Sequence, residues 1–319
     1  MPNDHFDGRQ YFNPSRANGQ SFGAVPRMLR TRRTKWPARV PVERRRPPAP
    51  AHAGDVIVTF VGHSTFLIQT REHNYLTDPI YSERASPVSF AGPRRVREPA
   101  VPFEDLPDIS AVLLSHNHYD HCDLPTLKAL EGRFHPLVVT PVGNRPLLES
   151  VGMRRVLELD WWQQSTLASV TLTPAQHFAS RHMLDRNRAL WGGFLIEAAG
   201  ARILFAGDSG YGPHFREIGA RLGPVDLAML PIGAYEPRWF MKDIHMNPAE
   251  AVEAHIDLAA RRSIAMHFGT FQLTPEGIDE PVTALGEALR SRGVQQEQFR
   301  ALEFGESVWV SGTGAPLLD

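Results

Sequence analysis

The stretch Ser115-His116-Asn117-His118-Tyr119-Asp120-His121 puts three imidazoles and a carboxylate into six consecutive positions. Crowding such groups is costly unless a cation holds them. Imidazole with carboxylate suits zinc or a neighbouring transition metal. Cys122 is the only cysteine, which argues against a thiolate structural site and leaves no partner for an internal disulfide. As a nucleophile it is the poorer choice, because metal chemistry beside it supplies a stronger one. Three more donors, His177, Asp208 and His267, fall where strand-like runs end. Five histidines and two aspartates divide into two sets of three plus one bridging carboxylate. Such a bridge neutralises a metal pair and fixes its separation, about 3.5–4 Å in two-metal hydrolases. The chemistry indicated is metal-assisted hydrolysis.

The elements that must position these donors can be read around them. Ala111-Val112-Leu113-Leu114 is a short apolar run of buried-strand type, and Asp123, Pro125, Leu127 and Leu130 begin a helix. The first cluster is therefore a tight strand-to-helix loop. Strands are expected at 55–61, 65–69, 75–77, 137–140, 156–159, 170–173, 194–197, 202–205, 227–230, 263–266 and 307–310. Helices are expected at 144–150, from Asn247 to about Ala260, and at 281–292. Asn247, Pro248 and Glu250 supply an N-cap, a first-turn proline and an N3 acid. Hairpins first, then strands alternating with helices, predict an α/β (α+β) chain with two sheets sandwiched between helices, an αββα arrangement.

Residues 1–50 differ from the rest. From Arg27 to Arg46 there are nine basic residues against one acid, Glu43. We expect a basic, Pro- and Arg-rich arm preceding a hydrolase domain at 51–319, either solvated or resting on an anionic membrane surface. A second basic segment runs from Ile80 to Pro102 and includes Arg84, Phe90, Arg94, Arg95 and Arg97. The 319 residues are 42% hydrophobic with a net charge of −1, ample for a core and without an electrostatic footprint for nucleic acid. No run of about 18 apolar residues offers a membrane span, and the N-terminal stretch lacks a secretory core. A cytoplasmic enzyme, peripheral on the inner face of the membrane, is the expected setting.

The pattern H-x-H-x-D-H, followed by His177, by Asp208 in a Gly-Asp turn and by His267, resembles that of the metallo-β-lactamase superfamily. A narrower resemblance, over about residues 53–310, is to the N-acyl-phosphatidylethanolamine-hydrolysing phospholipase D family. It is carried by Leu76-Thr77-Asp78-Pro79-Ile80, Arg84-Ala85-Ser86-Pro87, Ser115 through His121, and Leu159-Asp160-Trp161-Trp162. It continues in Leu190-Trp191-Gly192, Phe205 through Tyr211, Pro231 through Met241, and His267-Phe268-Gly269-Thr270-Phe271.

The resemblance implies the metallo-β-lactamase fold and two Zn²⁺ per chain, with iron or manganese as alternatives. It implies His116, His118 and His177 on one ion, Asp120, His121 and His267 on the other, and Asp208 between them. Asp78 is implied as the acceptor for a ligating histidine, with His63 and His245 beside the site. Asp120 and Asp208 would orient the nucleophile and take its proton. Tyr119, Tyr235, Arg238 and Trp239 are candidate substrate contacts, and Phe90, Phe240 and Met241 join Tyr235 and Trp239 as candidates for an acyl-chain groove. The activity implied is hydrolysis of N-acyl-phosphatidylethanolamine or a related glycerophospholipid to phosphatidate and N-acylethanolamine, by a homodimer. A metal-dependent hydrolase of a soluble phosphodiester or lactone, and a metal-binding protein without turnover, are the competing readings.

Overall fold

Runs of Val, Ile, Leu and Phe form strands whose both faces are covered, so that most of them read as continuous apolar segments rather than alternating ones. The computed structural model describes residues 4–15, 22–31, 33–182 and 184–311. Its strands are β1 (Val56–Gly62), β2 (Thr65–Gln69), β3 (Asn74–Thr77), β4 (Ala111–Leu113), β5 (Leu137–Pro141), β6 (Val156–Leu159) and β7 (Gln164–Ser165). They continue as β8 (Val170–Thr173), β9 (Gly193–Ala198), β10 (Ala201–Phe205), β11 (Leu227–Pro231), β12 (Arg262–Met266), β13 (Phe299–Arg300) and β14 (Ser307–Val310). The helices are α1 (Val25–Leu29), α2 (Leu124–Phe134), α3 (Arg145–Glu149), α4 (His214–Leu222), α5 (Arg238–Met241), α6 (Pro248–Asp257) and α7 (Glu280–Arg292).

Two seven-stranded mixed sheets result, in the orders β14-β1-β2-β3-β4-β5-β6 and β13-β12-β11-β10-β9-β8-β7. Val58, Phe60, Phe66, Ile68, Leu113 and Val139 of the first sheet share one core with Leu172, Phe194, Ile196, Leu204, Met229 and Ile264 of the second. The opposite face of the first sheet, with Leu67, Leu76, Val112 and Val138, is closed by Leu127 and Leu130 of α2 and Leu148 of α3. Helices α4, α6 and α7 pack outside the second sheet. This is the αββα sandwich that the hairpin-then-alternation pattern predicts.

The expected elements fall where the sequence puts them, with instructive differences. Asn247 and Glu250 form the full capping box, each bonding the other's backbone amide, but α6 ends at Asp257, short of Ala260. Asp123 does occupy the N-cap position of α2, yet its side chain makes no capping bond. It accepts instead from Ser82 Oγ at 2.8 Å and from the Ser82 amide at 3.0 Å, tying the helix to the loop after β3. Helix α4 and the two-residue strands β7 and β13 escaped notice. Gly219 dilutes the helical pattern of α4, and two residues are too few to show a period.

The described part of residues 1–50 runs along the body. Tyr11 N–H donates to Asn187 O, Thr34 N–H to Pro275 O, Val40 N–H to Val96 O and Arg45 N–H to Ala100 O. Asn13 Nδ2 donates to the carbonyl of His177 at 2.7 Å, and Trp36 Nε1 to that of Glu276 at 2.8 Å. Among the described residues, no helix is long and apolar enough to cross a membrane.

Candidate metal centre

The donors converge because parallel strands deliver their following loops to one edge of the sandwich. Asp78 follows β3, the 115–121 loop follows β4, His177 follows β8, Asp208 follows β10 and His267 follows β12. Asp78 organises the first loop. Its Oδ1 accepts from the Ser115 amide at 2.7 Å, and its Oδ2 accepts from Ser115 Oγ at 2.5 Å and from His121 Nδ1 at 2.7 Å. His121 therefore turns its Nε2 inward. Its neighbour Gly207 sets the turn into Asp208: φ is +62°, and a Cβ there would lie 2.9 Å from Gly192 O and from Ser115 Cβ.

Three imidazoles form one group. His116 Nε2 lies 2.9 Å from His118 Nδ1, and His177 Nε2 lies 3.2 Å from that same atom. The outer nitrogens are held: His116 Nδ1 donates to Ser115 Oγ at 2.9 Å and His177 Nδ1 to Ile244 O at 2.9 Å. The inner Nε2 atoms of His116 and His177 are thus left as lone-pair donors, and both face His118 Nδ1. Burial holds His118 down to about 3 and His177 to about 4, and it pushes His116 lower than the usual imidazole value as well.

The second group is richer in carboxylate. Asp120 Oδ2 lies 3.3 Å from His121 Nε2 and 3.2 Å from His267 Nε2. Asp208 Oδ2 is 3.1 Å from each of those nitrogens. Yet His121 Nε2, buried, makes a well-aligned hydrogen bond to neither oxygen. Atoms so close without pointing at each other share a target. Edges near these lengths are expected of a tetrahedron of N and O ligands about 2.0–2.1 Å from a zinc-sized cation, where they are about 3.3–3.4 Å. Burial works against charge on His121 and His267, but Asp208 and Asp120 together outweigh it, raising His267 to about 9 and holding His121 well above its usual value. Both aspartates are held well below the usual carboxylate range: burial opposes this, and the surrounding histidines, His121 foremost and His267 with it, together override it. Donor types, burial and spacing fit a metal pair.

Asp208 reaches both groups, since its carboxylate also clusters with His177 and His245 within metal-binding distance of one another. His245 Nδ1 stands 3.9 Å from Asp208 Oδ2. His63 Nε2 lies 3.1 Å from Asp120 Oδ2. All of the sequence-derived metal, bridging and supporting residues therefore meet in one place.

The candidate substrate contacts are more scattered. Tyr119 Oη is engaged by Arg181 O at 2.9 Å. Arg238 is a brace, its Nη1 donating to Tyr235 O and His245 O at 3.1 and 2.8 Å while its Nη2 pairs with Glu250 at 2.7 Å. Tyr235 is buried, whereas Trp239 is exposed beneath the guanidinium of Arg27, 4.4 Å away. The basic loop after β3 does not present its arginines as a surface patch. Arg95 is buried, donating to Ser82 O and Ile80 O, and Arg97 donates to Gly269 O at 2.7 Å. Arg94 is exposed and paired with Glu83. Cys122 is buried and burial pushes its thiol up to about 12, which leaves it inert.

Arg181 and Phe178 are the residues that sequence reasoning missed. Arg181 Nη1 donates to Asn117 O at 2.9 Å and Cys122 O at 2.8 Å, and its guanidinium lies 4.0 Å from the centre of the Tyr119 ring. It clasps the 115–121 loop to the loop of His177. The Phe178 ring lies 4.5 Å from His118 and 5.1 Å from His177. Their proximity in sequence to His177 is the one available signal, and it is a weak one.

Comparison with known proteins places this site. The beta-lactamase superfamily domain matches residues 73–268. N-acyl-phosphatidylethanolamine-hydrolyzing phospholipase D 1 of Caenorhabditis elegans is 38% identical over 270 residues, 80% of this chain and 75% of that protein. The mitochondrial N-acyl-phosphatidylethanolamine-hydrolyzing phospholipase D of Saccharomyces cerevisiae is 35% identical over 258 residues, 78% of this chain but only 55% of its own length. The isothiocyanate hydrolase from Delia radicum gut bacteria superposes with a TM-score of 0.64 at 21% identity, covering 79% of this chain and 98% of that one, a likeness of fold. Fold and donor cluster together define a metal-dependent hydrolase of the metallo-β-lactamase superfamily. Within that superfamily, the chain belongs to the N-acyl-phosphatidylethanolamine-hydrolysing phospholipase D family.

Proposed function

We propose that this hydrolase is a binuclear zinc phosphodiesterase of phospholipase D type, cleaving N-acyl-phosphatidylethanolamine or a related glycerophospholipid to phosphatidate and N-acylethanolamine. His116, His118 and His177 would hold one cation, Asp120, His121 and His267 the other, with Asp208 shared between them. When bound, the pair supplies Lewis-acid polarisation of the phosphate and a water acidic enough to react at neutral pH. The protein's own groups do the rest. Asp120 and Asp208 would orient the attacking water and accept its proton. Asp78 fixes the His121 ring, and Arg181 holds the two ligand loops in register.

The observation that carries the lipid reading is the apolar wall against the centre. Ala234, Met241 and Ile244 form a buried cluster on which Phe178, Phe240 and Leu273 pack, partly exposed, and Phe178 touches two of the proposed ligand rings. Such a wall suits an acyl chain and keeps bulk solvent from that side of the centre. A small polar ester gains little from it. Exposed Phe90, Leu184 and Trp239 and the basic segment of residues 1–50 support peripheral contact with a membrane.

Zinc-loaded protein should convert N-acyl-phosphatidylethanolamine in ¹⁸O-water to phosphatidate carrying one ¹⁸O, with unlabelled N-acylethanolamine, as read by mass spectrometry. Attack at phosphorus puts the label on the acid. Turnover confined to soluble phosphodiesters or lactones would replace the phospholipase reading with the soluble-ester one.

A further inference from the structure

His63 occupies a place in this centre that its metal chemistry does not by itself require. It is 2% exposed and sits just beyond β1 at φ +55°, a backbone conformation that non-glycine residues seldom adopt and that tends to persist where a site demands it. Its carbonyl accepts the His267 amide at 2.9 Å. Its ring lies against the His267 ring, centroids 4.4 Å apart, and the Phe271 ring stands perpendicular to it at 5.2 Å, blocking rotation. Among the described residues the ring has one hydrogen-bonding partner, Asp120 Oδ2, at 3.1 Å, while Nδ1 has none. That oxygen is the one facing His121 and His267. The ring of His63 also neighbours that of His121, at 5.4 Å. It makes no such ring or hydrogen-bond contact with His116, His118 or His177 among the described residues.

We propose that His63 is a positioning residue that sets the affinity of the Asp120–His121–His267 site for its cation and leaves the His116–His118–His177 site untouched. Resting on the binuclear reading above, this makes the two sites separable. Nε2–H donates to Asp120 and turns the remaining lone pair of Oδ2 toward the cation, while the carbonyl of His63 anchors the backbone that carries His267. Groups of this kind orient ligands, and their loss typically costs about 10–100-fold in metal affinity.

The test removes zinc stepwise from the loaded, full-length chain with a competing chelator and counts ions per chain by native mass spectrometry. Wild-type protein should release two ions in two steps. In His63→Phe, which keeps a packed ring and loses the donor, one of the two ions should leave at about 10–100-fold lower chelator concentration, with the other step unmoved. His63→Gln, whose amide can reach Asp120, should recover most of the difference. Urea unfolding of both variants after zinc removal reports any general loss of structure, which would be common to the two. Unchanged steps in His63→Phe, equal weakening of both steps, or a Gln variant no better than Phe overturns the proposal. A wild-type chain that carries a single ion would end the binuclear reading itself, and is recognised because it appears without any mutation.

Discussion

Asp78 accepts three hydrogen bonds, from the Ser115 amide, Ser115 Oγ and His121 Nδ1, and so fixes with one carboxylate the loop that carries four proposed ligands. In Asp78→Asn the amide presents a donor where His121 Nδ1–H needs an acceptor, so His121 loses its orientation. Metal affinity should fall about 10–100-fold, the usual cost of losing such a partner. On the binuclear reading Asp208→Asn should cost more, since it would remove the one anion shared by two cations that repel each other. Zinc per chain after dialysis against chelator, measured by plasma mass spectrometry, should drop in parallel with activity in both. Full occupancy in Asp208→Asn would remove it from the bridge. The proposed ligands were legible in sequence because few other circumstances gather imidazole and carboxylate so densely. Arg181 was not, since a guanidinium that binds two carbonyls and a ring looks in sequence like any surface arginine.

Between elements, the same contrast holds. Strands buried on both faces announce themselves as apolar runs, and the capping box of α6 announces its first turn. The path of residues 4–15 does not, because it is held by scattered polar contacts rather than by a period. His5 shows how. It stacks on Trp161 at 4.2 Å and bonds the carboxylates of Asp160 and Asp4 at 2.7 and 2.8 Å. Burial opposes its charge, but those carboxylates outweigh it and raise its pKa above the usual imidazole value. A folded-state pKa above the unfolded one means that the added stability is full below about pH 6.5 and fades as pH climbs through the raised value. Compared with His5→Phe, which keeps the stack, wild-type protein should therefore hold its greatest advantage in urea unfolding in mildly acidic buffer, and lose it in alkaline buffer. A difference that ignores pH would mean that the stack alone anchors the segment. The anchor matters to the site because Asn13, in the same segment, donates to the His177 carbonyl.

For the whole molecule, the question is how the proposed catalytic centre at one edge of the sandwich would meet a substrate held in a bilayer. Charge was the natural expectation from the arginines of the 80–102 loop, but Arg95 and Arg97 serve the fold, so neutralising them would damage structure and membrane contact alike. Exposed apolar side chains make the cleaner probe. Phe90 is 81% exposed and Leu184 86%, on loops that follow Asp78 and His177 respectively. Being so exposed, they contribute little to the core, and their replacement by Ser should leave the fold intact. Fully burying two such side chains in an apolar phase is worth about 1.5–3 kcal/mol each, and half of that at an interface still sums to about 1.5–3 kcal/mol. Binding of Phe90→Ser/Leu184→Ser to anionic vesicles should then weaken about 10–100-fold in a sedimentation assay. Turnover of bilayer substrate should fall with it, while kcat/KM for a short-chain, water-soluble phosphodiester stays at the wild-type level. Residual binding by the basic segment of residues 1–50 should weaken further as salt is raised, because exposed charges are screened beyond about 8–10 Å at physiological ionic strength. Equal losses on both substrates would mean that these loops shape the site itself. Unchanged vesicle binding would mean that the membrane is met elsewhere on the surface.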